Sequence, residues 1–417
     1  MPRVMLVLPT ATYRASAFLR AVDALGVDCV IASDEVPTLA PLMTGRVLAL
    51  DLGLPDEAAA KALAFAQRWP IDAVVGVDET AVVSAAHIAA ALGLVHNHVA
   101  AVAATRDKRR LRALLAAAGV PQPPWLEVRG DAAGSAAATA ARVVGLPAVV
   151  KPVDLAASRG VIRADSVAEL AAAIGRVDAL LRRPQLCGPR GDPPLLVEGF
   201  AAGAEIVIEG LLDRGALTVI AVLDKPDPLD GPFFTETLYV TPSRHDPQEV
   251  AQAVAVTARA IDAIGLTEGP IHAELRLAAG GPVLIEVAAR SIGGRCSSAL
   301  RLRDGDSELS LEELILRHAC AMPLVRPQLV PGGAGVLMLP VPASGVLRSV
   351  AGTGEAAALP GVTSVELTIP VGQEVEALPE GDRYLGFVVA HTRDAAAAEA
   401  VLRRAWALLK TEIEPSG

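Results

Sequence analysis

The chain has 417 residues, with 37 Lys and Arg against 47 Asp and Glu, and a hydrophobic fraction of 52%. This length exceeds one ordinary hydrophobic core and predicts two to four domains, while the apolar content excludes a disordered chain. The net charge of −10 has the wrong sign for a protein that binds nucleic acid or anionic lipid over a large surface. A local basic patch for a phosphate-rich small molecule is still compatible with it.

The cysteines and the apolar segments favour a cytoplasmic protein that does not cross a membrane. The four cysteines form no CxxC pair and are expected to be reduced, largely buried thiols: Cys29, Cys187, Cys296 and Cys320. The opening MPRVMLVLP is typical of a buried strand and not of a signal peptide. The uncharged stretch 81–105 contains three histidines and Asn97, so we expect helix, turn, short strand and helix there.

The first hundred residues alternate short apolar runs with helix-like stretches. Strands are expected at 4–9, 28–33 and 72–77, with an amphipathic helix over 15–25. This alternation indicates parallel strands with crossover helices. No GxGxxG sequence follows the first strand, so a nicotinamide-dependent oxidoreductase is poorly supported.

The rest of the chain predicts α+β lobes that begin after a proline-rich joint. A helix is expected from Thr105 to a stop at Gly119, followed by the joint VPQPPW at 120–125. Ser166 and Glu169 form a capping box that opens a later helix. The other expected elements are strands at 147–152, from 161, and at 195–198, 205–209 and 217–223, a helix over 246–265, a hairpin over 271–288 and a final helix over 395–409.

The hairpin 271–288 carries two glutamates that are candidates for metal binding. Its first strand, IHAELRL, alternates strictly and places His272 on the same face as Glu274. If the turn centres on Gly280, Glu274 and Glu286 lie directly opposite each other, with Cβ atoms roughly 5 Å apart. Like charges at that distance destabilise a sheet, and a magnesium ion would resolve the conflict. Two exposed acids in another register explain the hairpin alone equally well.

Two lysines have properties that the phosphates of a nucleotide require. Lys151 closes an apolar strand ahead of a loop with Ser158 and Gly160, which offers a point charge and backbone N–H donors. Lys108 lies near a helix start, where the backbone favours anions. The alternatives are a snorkelling Lys151 and an exposed, solvated Lys108.

Two further glutamates suit the rest of a nucleotide. Glu198 is expected at the end of a strand, where an acceptor suits an adenine amino group, and Glu205 begins the next strand, where a carboxylate suits ribose hydroxyls. As isolated residues, both are equally well explained as solvent-facing acids.

In order and spacing these residues resemble the ATP-grasp superfamily: Lys108, Lys151 with its small-residue loop, Glu198 with Glu205, Glu274, and Glu286 with Arg290. Four segments are similar to central segments of L-amino acid ligases, the dipeptide-forming carboxylate–amine ligases related to the bacilysin ligase: KPVDLAASRGV, HAELRL, IEVAARSIGG and DKP…GPFFTETLYVTPS. The resemblance covers essentially the whole chain.

The resemblance implies a multidomain α/β and α+β protein with an ATP-grasp fold. It places an N-terminal Rossmann-like pre-ATP-grasp domain at 1–104 and an ATP-grasp N-lobe with a phosphate-covering loop at 105–190. The C-lobe with the metal and adenine sites follows at 191–325, and a small α+β domain forms a cap at 326–417. A homodimer is one assembly that the resemblance leaves open.

The resemblance also implies roles for individual residues. It assigns the catalytic cations to Lys151 and Arg290 and the metal, Mg²⁺ or Mn²⁺, to Glu274 and Glu286. ATP would contact Lys108, Lys151, Ser158, Gly160, Glu198, the backbone of Gly199, Phe200 and Ala201, and Glu205. Candidate substrate contacts are Glu236, His272, Arg290, Gly293 and Gly294. Many members carry Asn where this chain has Ala288, which puts the second metal ion in doubt.

The reaction implied is formation of an amide bond between a small carboxylate, an amino acid above all, and an amine. It would proceed through an acyl phosphate and release ADP and phosphate. The alternatives are an ATP-grasp enzyme of purine synthesis, a carboxylase of the biotin-dependent type, and a nucleotide-binding regulatory protein without catalysis.

Overall fold

The computed structural model describes residues 1–35, 45–184, 186, 194–324 and 326–415, except for the side chain of Asp131. Within this part of the chain, no helix is long and apolar enough to cross a membrane. Cys29, Cys296 and Cys320 are free thiols, and Cys187 lies outside the described residues.

The first hundred residues form a parallel sheet, as the strand–helix alternation predicted. The elements are β1 (Arg3–Val7), α1 (Ala15–Leu25), β2 (Asp28–Ser33), β3 (Val47–Ala49), α2 (Pro55–Ala66), β4 (Ala73–Gly76), α3 (Val82–Ala91) and α4 (Val99–Arg106). Among the described residues the strands lie in the order β3-β2-β1-β4.

The short strand predicted after α3 is wrong, because the polar residues there serve other contacts. The Asn97 side chain accepts the N–H groups of Thr267 and Glu268, at 2.7 and 2.9 Å. The His98 side chain caps α4 by accepting the N–H of Ala100 at 3.2 Å. Residues 92–98 therefore form a connection between helices that is fixed by side chains and not by a strand partner.

A small antiparallel sheet and three helices follow. They are α5 (Lys108–Ala117), β5 (Trp125–Val128), a 3₁₀ turn (Gly130–Ala132), α6 (Ala133–Val144), β6 (Ala148–Pro152), β7 (Ile162–Ala164), α7 (Val167–Leu181) and β8 (Leu195–Gly199). The described strands lie in the order β5-β8-β6-β7. This sheet therefore places the end of β6 beside β8, and with it Lys151 near Glu198.

One predicted helix start and one predicted capping box differ from the structure, because other contacts form at the helix caps. The helix expected from Thr105 begins at Lys108, since the Asp107 carboxylate accepts the N–H groups of Arg109 and Arg110 and so separates α5 from α4. Ser166 caps α7 by accepting the N–H of Glu169 at 3.2 Å. The Glu169 carboxylate returns to the N–H of Asp165 and not to that of Ser166, so the capping box is incomplete.

The second half of the chain forms one large antiparallel sheet with smaller additions. Its elements are β9 (Ala204–Asp213), β10 (Ala216–Lys225), β11 (Leu238–Thr241), α8 (Pro247–Ile264), β12 (Gly269–Ala278), β13 (Gly281–Ala288), a 3₁₀ turn (Cys296–Ala299), β14 (Leu302–Asp304), β15 (Ser307–Leu309), α9 (Leu311–Ala319), β16 (Gln328–Leu329), β17 (Gly333–Leu339), β18 (Gly345–Ala351), α10 (Thr353–Ala357), β19 (Val362–Leu367), β20 (Glu374–Val375), β21 (Gly386–Thr392), α11 (Ala395–Leu408) and β22 (Lys410–Glu414).

In the described chain the large sheet has the order β13-β12-β9-β10-β11-β17-β21-β19. Its last three strands come from the C-terminal segment, which thus extends the sheet before it. The final strand β22 pairs with β18 and was missed in the sequence, because its residues KTEIE contain no apolar run.

The hairpin of β12 and β13 pairs Glu274 with Glu286 as predicted, but for a different reason. The turn pairs Ala278 with Gly281, whereas a turn centred on Gly280 would pair Ala278 with Pro282. A bulge at Ile285 then shifts the register by one residue and brings the two glutamates opposite each other. The other face of the strands packs on a core under α5 and α8 that includes Leu111, Leu115, Ile261, Ala273 and Leu275.

Buried charged side chains join the N-terminal sheet to the large sheet. Glu79, just after β4, accepts hydrogen bonds from the Arg290 guanidinium and, at 2.9 Å, from Arg106. Arg14 donates to the carbonyl of Val77 and to the hydroxyl of Ser291. Burial raises the pKa of Glu79, but the Arg290 and Arg106 guanidiniums outweigh it and hold that pKa at about 2.

We expect Glu79 to stabilise the fold at neutral pH and to lose this contribution in acid. Its folded-state pKa lies below the usual 4.5, so the contribution is present above pH 4.5 and is lost as the pH falls toward 2. A shift of this size corresponds to something on the order of 3 kcal/mol. The urea unfolding midpoint of the wild type should exceed that of Glu79→Gln at neutral pH. This difference between the two midpoints should become smaller in acid. A difference that does not depend on pH would contradict the lowered pKa of Glu79.

Candidate functional site

A cavity of about 390 Å³ is lined by nearly all of the candidate site residues that the sequence predicted. Its lining includes Lys108, Lys151, Ser158, Glu198, Gly199, Phe200, Ala201, Glu205, Glu236, His272, Glu274, Glu286, Arg290, Gly293 and Gly294. Gly160 does not line it. Its N–H donates to the carbonyl of Pro379 at 2.7 Å, and a Cβ there would lie 2.6 Å from the ring of Pro152.

The two lysines of the cavity are neither snorkelling nor exposed, since only 11% of each side chain is accessible to solvent. Lys108 Nζ donates to the carbonyl of Leu155 at 2.7 Å and lies 4.0 Å from Glu286 Oε2. Lys151 Nζ lies 2.7 Å from Glu198 Oε2. Both ammonium groups therefore stand at the cavity wall with part of their donor capacity left for an anion.

Glu198 is a buried, fully paired carboxylate and not the solvent-facing acid that one alternative expected. Its Oε1 accepts from Arg112 Nε at 2.6 Å and its Oε2 faces Lys151. Burial raises the pKa of Glu198, but the two cations outweigh it and hold that pKa at about 2. Arg112 also donates to the carbonyl of Ile285 at 2.6 Å, which ties α5 to the bulge of β13.

Arg112 was missed in the sequence, although a pattern there pointed to it. It lies in KRRLRALL beside Leu111 and one turn before Leu115, both of which face the core. A lone arginine among core positions of a helix requires a buried partner. Glu198 meets that requirement.

Glu274 and Glu286 both face the cavity, with 18% and 27% of their side chains exposed. Glu274 Oε1 accepts from Lys225 Nζ and from His272 Nε2, each at 3.1 Å. Although burial raises the pKa of Glu274, these cations lower it well below its ordinary range. The repulsion expected between the two glutamates is therefore relieved by protein cations, and that repulsion alone does not require a metal ion.

The donor set nevertheless fits a hard divalent cation. Within the described residues, Glu274 Oε2 and Glu286 Oε1 have no hydrogen-bond partner. Carboxylate oxygens of this kind are what Mg²⁺ takes from proteins, together with phosphate and water oxygens. Ala288, opposite His272 in the sheet, adds no oxygen.

His272, a candidate substrate contact, is hydrogen-bonded within the protein through both ring nitrogens. Its Nδ1 contacts Glu209 Oε1 and its Nε2 contacts Glu274. Burial lowers the pKa of His272, but the carboxylates outweigh it and raise that pKa to about 9. Glu209 in turn accepts the N–H of Ile292 at 2.9 Å. His272 is thus a cation at neutral pH, held between two acids.

Lys225 is the second buried cation that the sequence analysis missed. It closes β10, and its Nζ lies 2.6 Å from Glu205, 2.8 Å from Glu236 and 3.1 Å from Glu274. Arg276 Nε is 2.8 Å from the other oxygen of Glu205. In the sequence, Lys225 ends the apolar strand LTVIAVLDK as Lys151 ends PAVVK, so the same reasoning would have found it.

Two tyrosines from distant parts of the chain close the remaining end of the cavity. The Tyr384 hydroxyl donates to Glu236 at 3.4 Å, and the N–H of Gly294 donates to the Tyr13 hydroxyl at 2.9 Å. A Cβ on Gly293 would meet only Tyr13, at 3.9 Å, whereas one on Gly294 would meet Met338 at 2.9 Å. Space for a ligand is therefore present at Gly293 but is filled by Met338 at Gly294.

Two family models match the chain. One, an ATP-grasp domain, covers residues 144–299, and the other, an L-amino acid ligase C-terminal domain, covers residues 337–414. The crystal structure of L-amino acid ligase from Bacillus licheniformis shares the fold, with a TM-score of 0.83 at 24% identity over 99% of both chains.

Two relatives match parts of the chain. The alanine–anticapsin ligase of Bacillus subtilis is 27% identical over 57% of this chain and 52% of its own length. Dapdiamide A synthase of Enterobacter agglomerans is 28% identical over 42% of this chain and 40% of its own length. The matched part of this chain thus spans about half the length of these relatives.

The first model covers the cavity-lining residues from Val149 to Cys296 and the second covers the C-terminal segment, while the shared fold extends over 99% of the chain. As the resemblance predicted, the chain contains an ATP-grasp domain and carries an L-amino acid ligase C-terminal domain.

Proposed function

We propose that the chain is an ATP-dependent carboxylate–amine ligase that joins an amino acid, or another small carboxylate, to an amine. One observation carries this proposal: the cavity combines two buried lysines, a pair of facing carboxylates and Arg290. The lysines suit phosphates, the carboxylates suit a metal ion, and Arg290 suits a transferred phosphoryl group. The substrate carboxylate would attack the γ-phosphate of ATP and leave an acyl phosphate with ADP. The amine would then displace phosphate and form the amide.

The protein's part in this reaction is alignment and charge neutralisation. Lys108 and Lys151 would hold the phosphates, because their ammonium groups lie at the wall with donors to spare. Arg290 would stabilise the phosphoryl group and the acyl phosphate. The Glu79 carboxylate orients its guanidinium from behind, and the carbonyl of Ser291 accepts from its Nη1 at 2.9 Å.

Glu274 and Glu286 would hold Mg²⁺ or Mn²⁺ through their unpaired oxygens. When bound, the ion would neutralise phosphate charge. Glu198 would contact the adenine amino group beside the backbone of Gly199, Phe200 and Ala201, and Glu205 would contact the ribose. Because both oxygens of Glu198 and of Glu205 already have cationic partners, ATP would share these carboxylates and not displace their partners.

The loop 157–160 would cover the phosphates and shield the acyl phosphate from water. Ala157 and Ser158 both have φ near +56° and Ser158 lines the cavity, whereas Gly160 anchors the loop to Pro379. Arg159 donates to the carbonyl of Glu380 at 2.7 Å and to Asp382 at 3.0 Å. The C-terminal domain therefore holds the covering loop from outside.

Amino acids are the proposed substrates for two reasons, which are the groups that line one end of the cavity and the names of the relatives. Glu236 would receive the ammonium group of a substrate, and the space at Gly293 would receive a side chain. The names of two relatives, alanine–anticapsin ligase and dapdiamide A synthase, support an amino acid in one of the two positions. Domain limits near residues 104, 190 and 325, a cytoplasmic location and a homodimer stay predictions.

A phosphate-release screen with ATP, Mg²⁺ and pairs of amino acids tests the proposal. Release that requires two substrates, with a product mass equal to their sum minus water, is the expected result. Release with bicarbonate or with a purine precursor would favour a carboxylase or a purine-synthesis enzyme. Tight ATP binding without release for any pair would favour a regulatory protein.

We expect Glu286→Ala to lower ADP release by about 100-fold or more while the fold is retained, because the site would lose half of its carboxylate donors. ADP release and the thermal unfolding midpoint are the measurements. Glu308→Ala is the matched control, since that exposed carboxylate lies on β15, does not line the cavity and pairs with Arg301. Normal ADP release by Glu286→Ala would show that the metal assignment is wrong.

We expect the charge pairs outside the loop to favour its covering position. Arg176 of α7 binds both oxygens of Glu380, at 2.7 and 3.0 Å. Because this pair is half exposed, Arg176→Glu should raise the KM for ATP by only about two- to fivefold and increase ADP release without amide formation.

The double exchange Arg176→Glu with Glu380→Arg should restore both values. Arg348→Glu serves as control, because Arg348 pairs with Glu414 within the C-terminal domain. Failure of the double exchange to restore activity, or an equal effect of the control, would rule out this role for the pair.

A further inference from the structure

Three carboxylates from separate segments converge on one buried ammonium group. Lys225 Nζ lies within 3.1 Å of an oxygen of Glu205 from β9, of Glu236 from the segment after β10, and of Glu274 from β12. Only 3% of the Lys225 side chain is exposed. The ring of Tyr239 covers another side of the ammonium group, with its centroid 5.1 Å from Nζ.

This geometry uses every donor that the lysine has. An ammonium group carries three N–H bonds, and each finds a carboxylate here. Lys225 therefore has no donor left for a phosphate or a substrate, unlike Lys108 and Lys151. Its function must be carried out through the three acids that it holds.

The three acids belong to different parts of the proposed site. In the function proposed above, on which this inference rests, Glu205 faces the ribose, Glu274 the metal ion and Glu236 the second substrate. Their other contacts are separate: Arg276 holds Glu205, His272 holds Glu274 and the Tyr384 hydroxyl holds Glu236. Lys225 is the partner that the three share among the described residues.

We propose that Lys225 is a positioning residue that sets the nucleotide-side, metal-side and substrate-side carboxylates relative to one another. Without its charge, three acids would face each other inside the protein and move apart, because a buried carboxylate without a cation is strongly disfavoured. An arginine restores the charge, but its planar fork presents donors in a different geometry from a lysine ammonium. The position therefore requires a compact cation with three divergent donors.

Lys225→Met tests the proposal, because it keeps the length of the side chain and removes the charge. Arg276→Met is the matched control: Arg276 is equally buried and holds Glu205 but contacts neither Glu236 nor Glu274. The measurements are the dissociation constant of ADP with Mg²⁺ by calorimetry, the two KM values, kcat, and the thermal unfolding midpoint.

We expect Arg276→Met to weaken ADP binding and to leave the KM of the amine substrate within about twofold. Lys225→Met should weaken ADP binding, raise the KM of the amine by about tenfold and lower kcat. Lys225→Arg should recover part of the ADP affinity and little of kcat. If the amine KM changed alike in Lys225→Met and Arg276→Met, Lys225 would be only a buried counter-ion and the proposal would be overturned.

Glu236→Gln keeps the test decisive if Lys225→Met does not fold. In the proposed function, Glu236 contacts the second substrate and not the nucleotide. An effect of Glu236→Gln on the affinity for ADP would therefore pass through Lys225. We expect Glu236→Gln to change the dissociation constant of ADP by about threefold or more. An unchanged ADP affinity would overturn the proposal. Because ADP binding is measured without turnover, this result holds even if no amide product is found and the proposed function fails.

Discussion

The cavity depends on one constraint, which is that each carboxylate buried in its wall must have a cation beside it. An unpaired buried charge costs several kcal/mol, far more than an exposed ion pair contributes. Glu198 lies between Arg112 and Lys151, and Glu79 binds Arg106 and Arg290. These pairs join segments that are far apart in the sequence. The same ion pairs therefore hold these segments together and balance the charges in the cavity wall.

The register of the large sheet sets most of these pairs. On the cavity face, Arg276 lies opposite Glu205 and His272 opposite Glu209 across β12 and β9. Across β12 and β13, Glu274 lies opposite Glu286, and the bulge at Ile285 makes that pairing. A slip of one residue would turn these side chains into the core under α8. The bulge therefore aligns an acidic pair that a regular hairpin with this turn would have offset.

Much of the fold followed from local patterns, whereas the partners within the site did not. Alternating apolar residues predicted the hairpin, and strand–helix alternation predicted the parallel sheet. The helix predicted from Thr105 begins later because Asp107 caps it. The position of a cap depends on the side chain of a single residue, whereas a periodic pattern depends on many. Local patterns could have marked Lys225 and Arg112 as buried cations, but their partners are acids 11 to 86 positions away, and no spacing rule in one sequence encodes those contacts.

Candidate residues for the proposed nucleotide site were easier to identify in the sequence than those for the substrates, because most of them lie within one domain. Lys151, Glu198, Glu274 and their neighbours lie in the matched ATP-grasp domain at 144–299. The far end of the cavity is closed by Tyr13 from the N-terminal sheet region and by Tyr384 from the C-terminal domain. Segments outside the ATP-grasp domain thus shape the space in which the second substrate would lie. Under the proposed function, a change at Tyr13 would alter this space without touching the buried charge pairs, whereas a change at Tyr384 would also reach Lys225 through Glu236.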